Sequence, residues 1–250
     1  MKMEIFGPLI LSFIAGISTI FGALLIFLKI RKIDNFIVFC LSFSLTIMSL
    51  VSIFDLLPSS IPLIINNYGI YFGFIIIFLV FMLGYLSIYK INMQIEKGNS
   101  NNSSLFRIGL LSMISLMLHN FPEGIAVFVS AYTDINIGIK ICIAIMLHNI
   151  PEGLAIAVPL YYSGVSKKES IVYTLVSGLS EPLGAIIAYI FLRNYINELL
   201  LSYILIFVAG LMISLSINDI LKEVIKYKLY RYMIIGIISA FIVFSLSIFI

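Results

Sequence analysis

Apolar runs of bilayer-crossing length recur eight times along this chain, at 5–28, 36–57, 68–89, 108–132, 135–162, 170–192, 199–221 and 232–250. A helix needs roughly 20 apolar residues to span the hydrocarbon core. In lipid only helices and closed barrels satisfy their own backbone groups. The pattern predicts an all-α integral membrane protein with eight transmembrane helices. Within 250 residues these runs leave no room for a soluble domain, so 1–250 reads as a single transmembrane domain. Only 11% of the residues are charged and 62% are hydrophobic, against about 25% charged in an average soluble domain. A soluble enzyme and a nucleic-acid-binding protein are both excluded. The first run is too long for a signal-peptide core, and no small-residue cleavage site closes it. The longest polar stretch, 90–107, contains Gly98-Asn99-Ser100-Asn101-Asn102-Ser103-Ser104 and reads as a flexible loop.

The basic residues give the orientation. Lys29, Arg31 and Lys32 follow the first run, Lys90, Lys97 and Arg107 the third, Lys167 and Lys168 the fifth, and Lys222, Lys226, Lys228 and Arg231 the seventh. Twelve of the 15 basic residues therefore sit on one set of alternate ends, and only Lys2, Lys140 and Arg193 on the other. The positive-inside rule makes the rich side cytoplasmic, so loop 90–107 is cytoplasmic and both termini are extracytoplasmic in a multi-pass cell (plasma or inner) membrane protein. The net charge of +3 is then a topology signal rather than a binding patch. Tyrosines near the run ends, such as Tyr68, Tyr89, Tyr161 and Tyr232, suit interfacial belts. Cys40 and Cys142 lie within apolar runs, without CxxC spacing, and read as packing residues.

Ionisable residues deep in a membrane are costly and mark substrate or proton paths. Run four carries His119-Asn120-Phe121-Pro122-Glu123-Gly124, run five His148-Asn149-Ile150-Pro151-Glu152-Gly153, and run six Ser180-Glu181-Pro182. Glu123 to Glu152 is 29 residues, and Glu152 to Glu181 is 29 again. The midpoints of both intervals fall in the turns between consecutive, antiparallel runs. Residues equidistant from such a turn share a depth, and about 14 residues of helix is roughly 20 Å, near mid-bilayer. Three carboxylates, two imidazoles and two amides should therefore meet in one layer. His119 and Glu123 stand i,i+4 on one helical face, as do His148 and Glu152. Pro122 and Pro151 cannot donate to the carbonyls of Leu118 and Leu147, so each helix should kink and free an acceptor. One proline, asparagine or histidine could be packing; a repeated six-residue polar motif at matched depth, joined by a third carboxylate, could not. Bare anions there call for protons, water or a divalent cation. Imidazole, carboxylate and amide oxygen suit Zn²⁺, Fe²⁺, Mn²⁺ and Co²⁺, and the absence of cysteine argues against a Cu⁺ site. The shared carboxylates leave room for two ions.

At these residues the sequence resembles the ZIP family of divalent-metal transporters, in its ZupT-like bacterial branch. The resemblance rests on LHNFPEGIAVF at 118–128, LHNIPEGLAIAVP at 147–159 and SGLSEPLGA at 177–185, with weaker matches in AGLMISLSINDIL at 209–221 and TIMSLVSIFDLLP at 46–58. It implies a 3+2+3 inverted-repeat bundle, usually a homodimer, that imports metal into the cytoplasm through a binuclear site. His119, Glu123, His148 and Glu152 would form the primary site. Asn120, Asn149 and Glu181 would form the second, sharing Glu123, Glu152 and His148. Zinc heads the implied cargoes, with iron, manganese, cobalt and cadmium beside it and no resident cofactor. Met48 matches a position near the site in some relatives, as a weak ligand or as packing. The chain departs from the pattern at Ser59, where relatives often have Glu, and at Lys222, where many have Pro. Asn218-Asp219 stands where Asp-Glu is frequent, and loop 90–107 lacks a His-rich tract.

The topology orders a path from Asp55, at the outer end of span two, through the central cluster to Asp219, at the inner end of span seven. Each acid is equally ordinary as a wetted helix end. Ser112 and Ser115 share the face of His119 toward the cytoplasm and either line the path or bond the backbone. Gly184 and Ala188 are a small-xxx-small packing pair. The reading is therefore a divalent-metal importer and not an enzyme. The alternative is an intramembrane metal-dependent hydrolase, which needs a metal with an open position and a general base. The HExxH motif is absent, and each glutamate at i+4 from its histidine reads as a ligand. A metal-gated receptor without flux is a third class.

Overall fold

Asp134 ends one long helix and begins the next. Its backbone is extended (φ −147°, ψ 117°), its amide closes the preceding helix on the Ser130 carbonyl, and its carboxylate accepts the Asn136 amide at 2.8 Å. Such caps satisfy the backbone groups that a helix end leaves free. Gly69, at φ +75°, makes the equivalent break between two other helices, in a backbone region that costs glycine least. Ser166 opens a further helix with a capping box: its hydroxyl and amide both donate to the Glu169 carboxylate, and its hydroxyl accepts from the Glu169 amide.

The computed structural model describes residues 2–98, 103–192 and 198–248. Among them the chain forms eight helical rods and no strand: α1 (2–27), α2 (Ile33–Tyr68), α3 (Ile70–Gly98), α4 (Ser104–Thr133), α5 (Ile135–Tyr162), α6 (167–192), α7 (198–226) and α8 (Tyr230–Ile248). Seven are long and apolar enough to cross a membrane, and α8 contributes a shorter apolar helix over Tyr230–Leu246. The outer face is as apolar as the inside: α3 turns Tyr71, Phe72, Phe78, Leu79 and Leu83 outward. A patch of that extent suits lipid as solvent. Both cysteines are free and buried.

Close helix crossings reveal a two-fold relation between the halves. A Cβ on Gly22 of α1 would stand 2.0 Å from the Ile150 carbonyl oxygen of α5, and one on Gly184 of α6 would stand 2.1 Å from that of Phe121 on α4. Reciprocally, Gly153 of α5 abuts the Thr19 carbonyl of α1, and Gly124 of α4 abuts the Glu181 carbonyl of α6. Both α1 and α6 are interrupted within matching tripeptides, Gly16-Ile17-Ser18 and Gly178-Leu179-Ser180, whose glycines pack on each other. Both α2 and α7 widen into one π turn, at Ser52–Leu56 and Ser216–Ile220. Finally, α3 packs on α7 as α8 packs on α2. Helices α1–α3 and α6–α8 are thus equivalent triplets around a central α4–α5 pair. Because α6 enters from the side opposite α1, the repeat is inverted, and the bundle is 3+2+3.

Two stretches differ from the sequence reading. Helix α2 does not end near 57 but continues to Tyr68. Pro58 falls in the first turn of the segment that restarts after the π turn, where a missing N–H costs little. The stretch 90–107, read as a flexible loop, is helical to Gly98 and again from Ser104; 99–102 lie outside the described residues. Met93, Gln94, Glu96 and Lys97 are good helix formers, and Asn92 is tied to α7.

The orientation has a direct test. In a background carrying Cys40→Ala and Cys142→Ala, an impermeant thiol reagent should label Asn66→Cys in intact cells and Lys168→Cys only after lysis. Equal labelling of the two would refute termini that face outward.

Candidate metal centre

Helices α4 and α5 lie side by side, each unbroken through the proline of its motif, so histidine and glutamate one turn apart share a face. Glu123 is the centre. Its Oε1 lies 3.0 Å from His148 Nε2 and 3.1 Å from His119 Nε2, the latter without the alignment of a hydrogen bond. His119 Nε2 is also 3.5 Å from Glu152 Oε1. Donor atoms of His119, Glu123 and His148 all lie within 4.8 Å of one another, the spacing of ligands around one cation. Asn120, with its amide turned so that nitrogen meets acceptors, donates to the Leu116 carbonyl at 3.0 Å and to Glu152 Oε2 at 3.2 Å. His119, Asn120, Asn149 and Glu181 are fully buried, Glu123 and Glu152 nearly so, and His148 keeps 12% of its side chain exposed.

The second group gathers around α6. Asn149 donates through Nδ2 to Glu181 Oε1 at 2.5 Å and to the Ala15 carbonyl of α1 at 2.9 Å. With the nitrogen committed twice, the amide oxygen is the atom left to face a ligand, and Asn149 Oδ1 has no hydrogen-bond partner. Neither have Glu123 Oε2, Glu152 Oε1, Glu181 Oε2 or either ring nitrogen of His119. Buried polar atoms are nearly always paired. An assembly of unpaired oxygens and imidazole nitrogens has the character of a cation site, because one ion can satisfy several of them. From α2, Ser44 donates to the Pro151 carbonyl at 2.9 Å, tying α2 to the second motif.

A cavity of about 460 Å³ between α2, α4, α5, α7 and α8 runs from exposed Asp55 and Ser59 down to Glu123 and His148. Asp55 is not at a helix end; it sits in the π turn of α2, whose irregular backbone aims it into this vestibule. The matching π turn of α7 carries Asp219, and there the bundle is shut. Asn92 of α3 donates to Asp219, Asn218 donates to the Tyr85 hydroxyl at 2.8 Å, and Ser104 of α4 donates to Glu223 at 2.9 Å. Between that closure and the cluster lie Ser112 and Ser115, fully buried, their hydroxyls without partners. They do not bond the backbone. Met48 is fully buried in the main hydrophobic core.

Sequence reasoning missed several participants. The Ala15 carbonyl, Ser44, Tyr85, Asn92, Ser104 and Glu223 carry no motif, and a main-chain acceptor has no signature at all. One signal was readable: Ser52-Ile53-Phe54-Asp55-Leu56 echoes Ser216-Ile217-Asn218-Asp219-Ile220, and the echo marks the paired π turns.

The profile of a family described as ZIP Zinc transporter matches residues 90–248. The chain is 34% identical over 259 residues to the "Zinc transporter ZupT" of Streptococcus mutans, covering 99% of this chain and 98% of that protein. It is 35% identical over 255 residues to the protein of that name from Oceanobacillus iheyensis, covering 95% of each. The Clostridium perfringens protein of that name is 31% identical over 266 residues, covering 95% of this chain and 93% of that one.

Proposed function

Since the chain belongs to the ZIP family of metal transporters, in its ZupT-like branch, it is a multi-pass membrane transporter of divalent metal rather than an enzyme, and we propose that it carries zinc inward through the α4–α5–α6 cluster. The observation that carries this reading is the pairing of a vestibule at Asp55 with a closed network at Asp219, the His–Glu cluster lying between them. A transporter must expose its site to one side at a time, and inverted repeats are a recurrent way to build that.

In this reading an ion enters past Asp55, whose carboxylate attracts it, and reaches His148 and Glu123 at the floor of the vestibule. His119, Glu123, His148 and Glu152 form the first site. The oxygens of Asn120, Asn149 and Glu181, with Glu123, Glu152 and His148 shared, form the second. Asn120 must then release Glu152, to which it donates, and turn its oxygen toward the ion. Oxygen–nitrogen ligand sets admit Fe²⁺, Mn²⁺, Co²⁺ and Cd²⁺ beside Zn²⁺. Ser112 and Ser115 line the inner half, and Asp219 receives the ion once its partners, Asn92 among them, let go. Met48 supports the site by packing. The protein works in the cell membrane as a homodimer, with both termini outside.

Zinc uptake into proteoliposomes tests the proposal. The purified chain should accumulate radioactive zinc against protein-free vesicles, with other divalent ions competing. Binding without accumulation would leave a metal receptor and overturn transport.

A further inference from the structure

Where α8 crosses α2, a Cβ on Gly236 would stand 2.6 Å from the Phe39 carbonyl oxygen, so the two helices are pinned backbone to backbone at that level. Toward the basic end of the bundle they leave a groove of about 520 Å³. Its wall is apolar and preformed: Phe36, Phe39, Tyr232 and Ile235 line it, and Phe36 is fixed by an edge contact with Tyr162 at 6.3 Å between ring centroids. Its mouth is cationic. Arg31, Lys32 and Asn35 line it, and both basic residues are exposed. Neither Arg31 nor Lys32 forms an ion pair among the described residues. The single acid of this segment, Asp34, shares a smaller adjoining concavity with Arg31, Lys32 and Asn35 and leaves a net positive rim.

A cationic mouth opening onto an apolar slot between two membrane helices has one natural complement: an amphiphile with an anionic head and a hydrocarbon tail. The basic end of the groove lies at the level of the interhelical loops, where headgroups sit, and its apolar end faces the hydrocarbon. Basic pockets between transmembrane helices hold anionic headgroups in this way. We propose that the α2–α8 groove binds an anionic phospholipid, its phosphate held by Arg31 and Lys32 with Asn35 donating, and one acyl chain lying along Phe36, Phe39, Tyr232 and Ile235. The lipid would fasten the start of α2, and with it the helix that carries Asp55, to α8. The site stands apart from the metal path and is independent of which ion the protein carries.

The experiment titrates the purified full-length protein, in a neutral detergent, with phosphatidylglycerol or phosphatidylcholine and follows thermal unfolding. Phosphatidylglycerol should raise Tm saturably and phosphatidylcholine should not. In Arg31→Gln/Lys32→Gln the half-saturating phosphatidylglycerol concentration should rise about tenfold. Lys168→Gln/Lys222→Gln removes equal charge elsewhere on the same side and should leave the titration unchanged. Ile235→Trp fills the apolar wall and should weaken binding with the charges intact. The proposal fails if the Arg31/Lys32 variant titrates like the parent. It also fails if the control pair shifts the curve equally, which would mean a diffuse field, or if phosphatidylcholine serves as well. An unchanged titration in a monodisperse Ile235→Trp protein would remove the groove from the account and overturn it.

Discussion

Replacing Glu123 with alanine should reduce zinc uptake about 100-fold, to background, while the protein still inserts and elutes as a folded species. Glu123 Oε1 is the atom that both histidines approach, at 3.0 Å and 3.1 Å, so its loss separates the imidazoles as well as deleting a carboxylate. Its other oxygen has no hydrogen-bond partner, so little that holds the bundle together goes with it. Removing even an indirect support of a metal ligand commonly costs 10–100-fold in affinity, and a ligand shared by two ions costs both. Glu123→Gln separates charge from shape: it keeps the volume and an oxygen, and it should transport little better than alanine. A well-expressed Glu123→Ala protein that transports near the parental rate would dismiss the central assignment.

The second large effect falls on folding rather than transport. Gly124→Ala should abolish recovery of monodisperse protein, although it adds one methyl group. That carbon would stand 1.9 Å from the Glu181 carbonyl oxygen and 2.7 Å from the Glu181 Cα, which are rigid backbone atoms of α6. The helices must separate by more than an ångström, at a cost of about 3 kcal/mol or more, against a total stability of about 5–15 kcal/mol. They would also carry Glu181 away from Asn149. Gly7→Ala, whose new carbon meets only the tip of Ile135 at 3.3 Å, is the matched control and should behave as the parent. Parental yield and elution from Gly124→Ala would show that α4 and α6 do not approach as closely as described.

The His–Asn–Glu cluster was legible because its residues contradict their surroundings. Histidine, asparagine and glutamate inside apolar helices stand out, and equal 29-residue intervals fix a common depth without any knowledge of packing. Glu181 followed from the same arithmetic, and the structure brings it to Asn149. The course of α2 past Pro58 was not legible, because proline ordinarily reads as a stop and only the preceding π turn makes it harmless. The acids at 55 and 219 were read as the two ends of one path, but their equivalence under the repeat lies in two five-residue segments that share only Ser, Ile and Asp at matching positions. The Ala15 carbonyl, which sets the direction of the Asn149 amide, was invisible because every residue has a carbonyl.

The inverted halves also bear on what a conformational change costs this protein. Helices α1–α3 and α6–α8 make the same crossings, yet one π turn opens a vestibule beside Asp55 while its counterpart is locked around Asp219. If the triplets exchange shapes, the opening passes to the other face and the shared glycine crossings are traded like for like, while a lock such as Asn218–Tyr85 has no twin, because Phe54 stands opposite Asn218. The shared framework itself then favours neither of the two end states. A small bias suffices to move the population between them. That bias can reside only where the halves differ, as with Thr19 opposite Glu181 or Phe54 opposite Asn218. Such mismatched pairs, rather than the shared framework, set the resting position of the cycle.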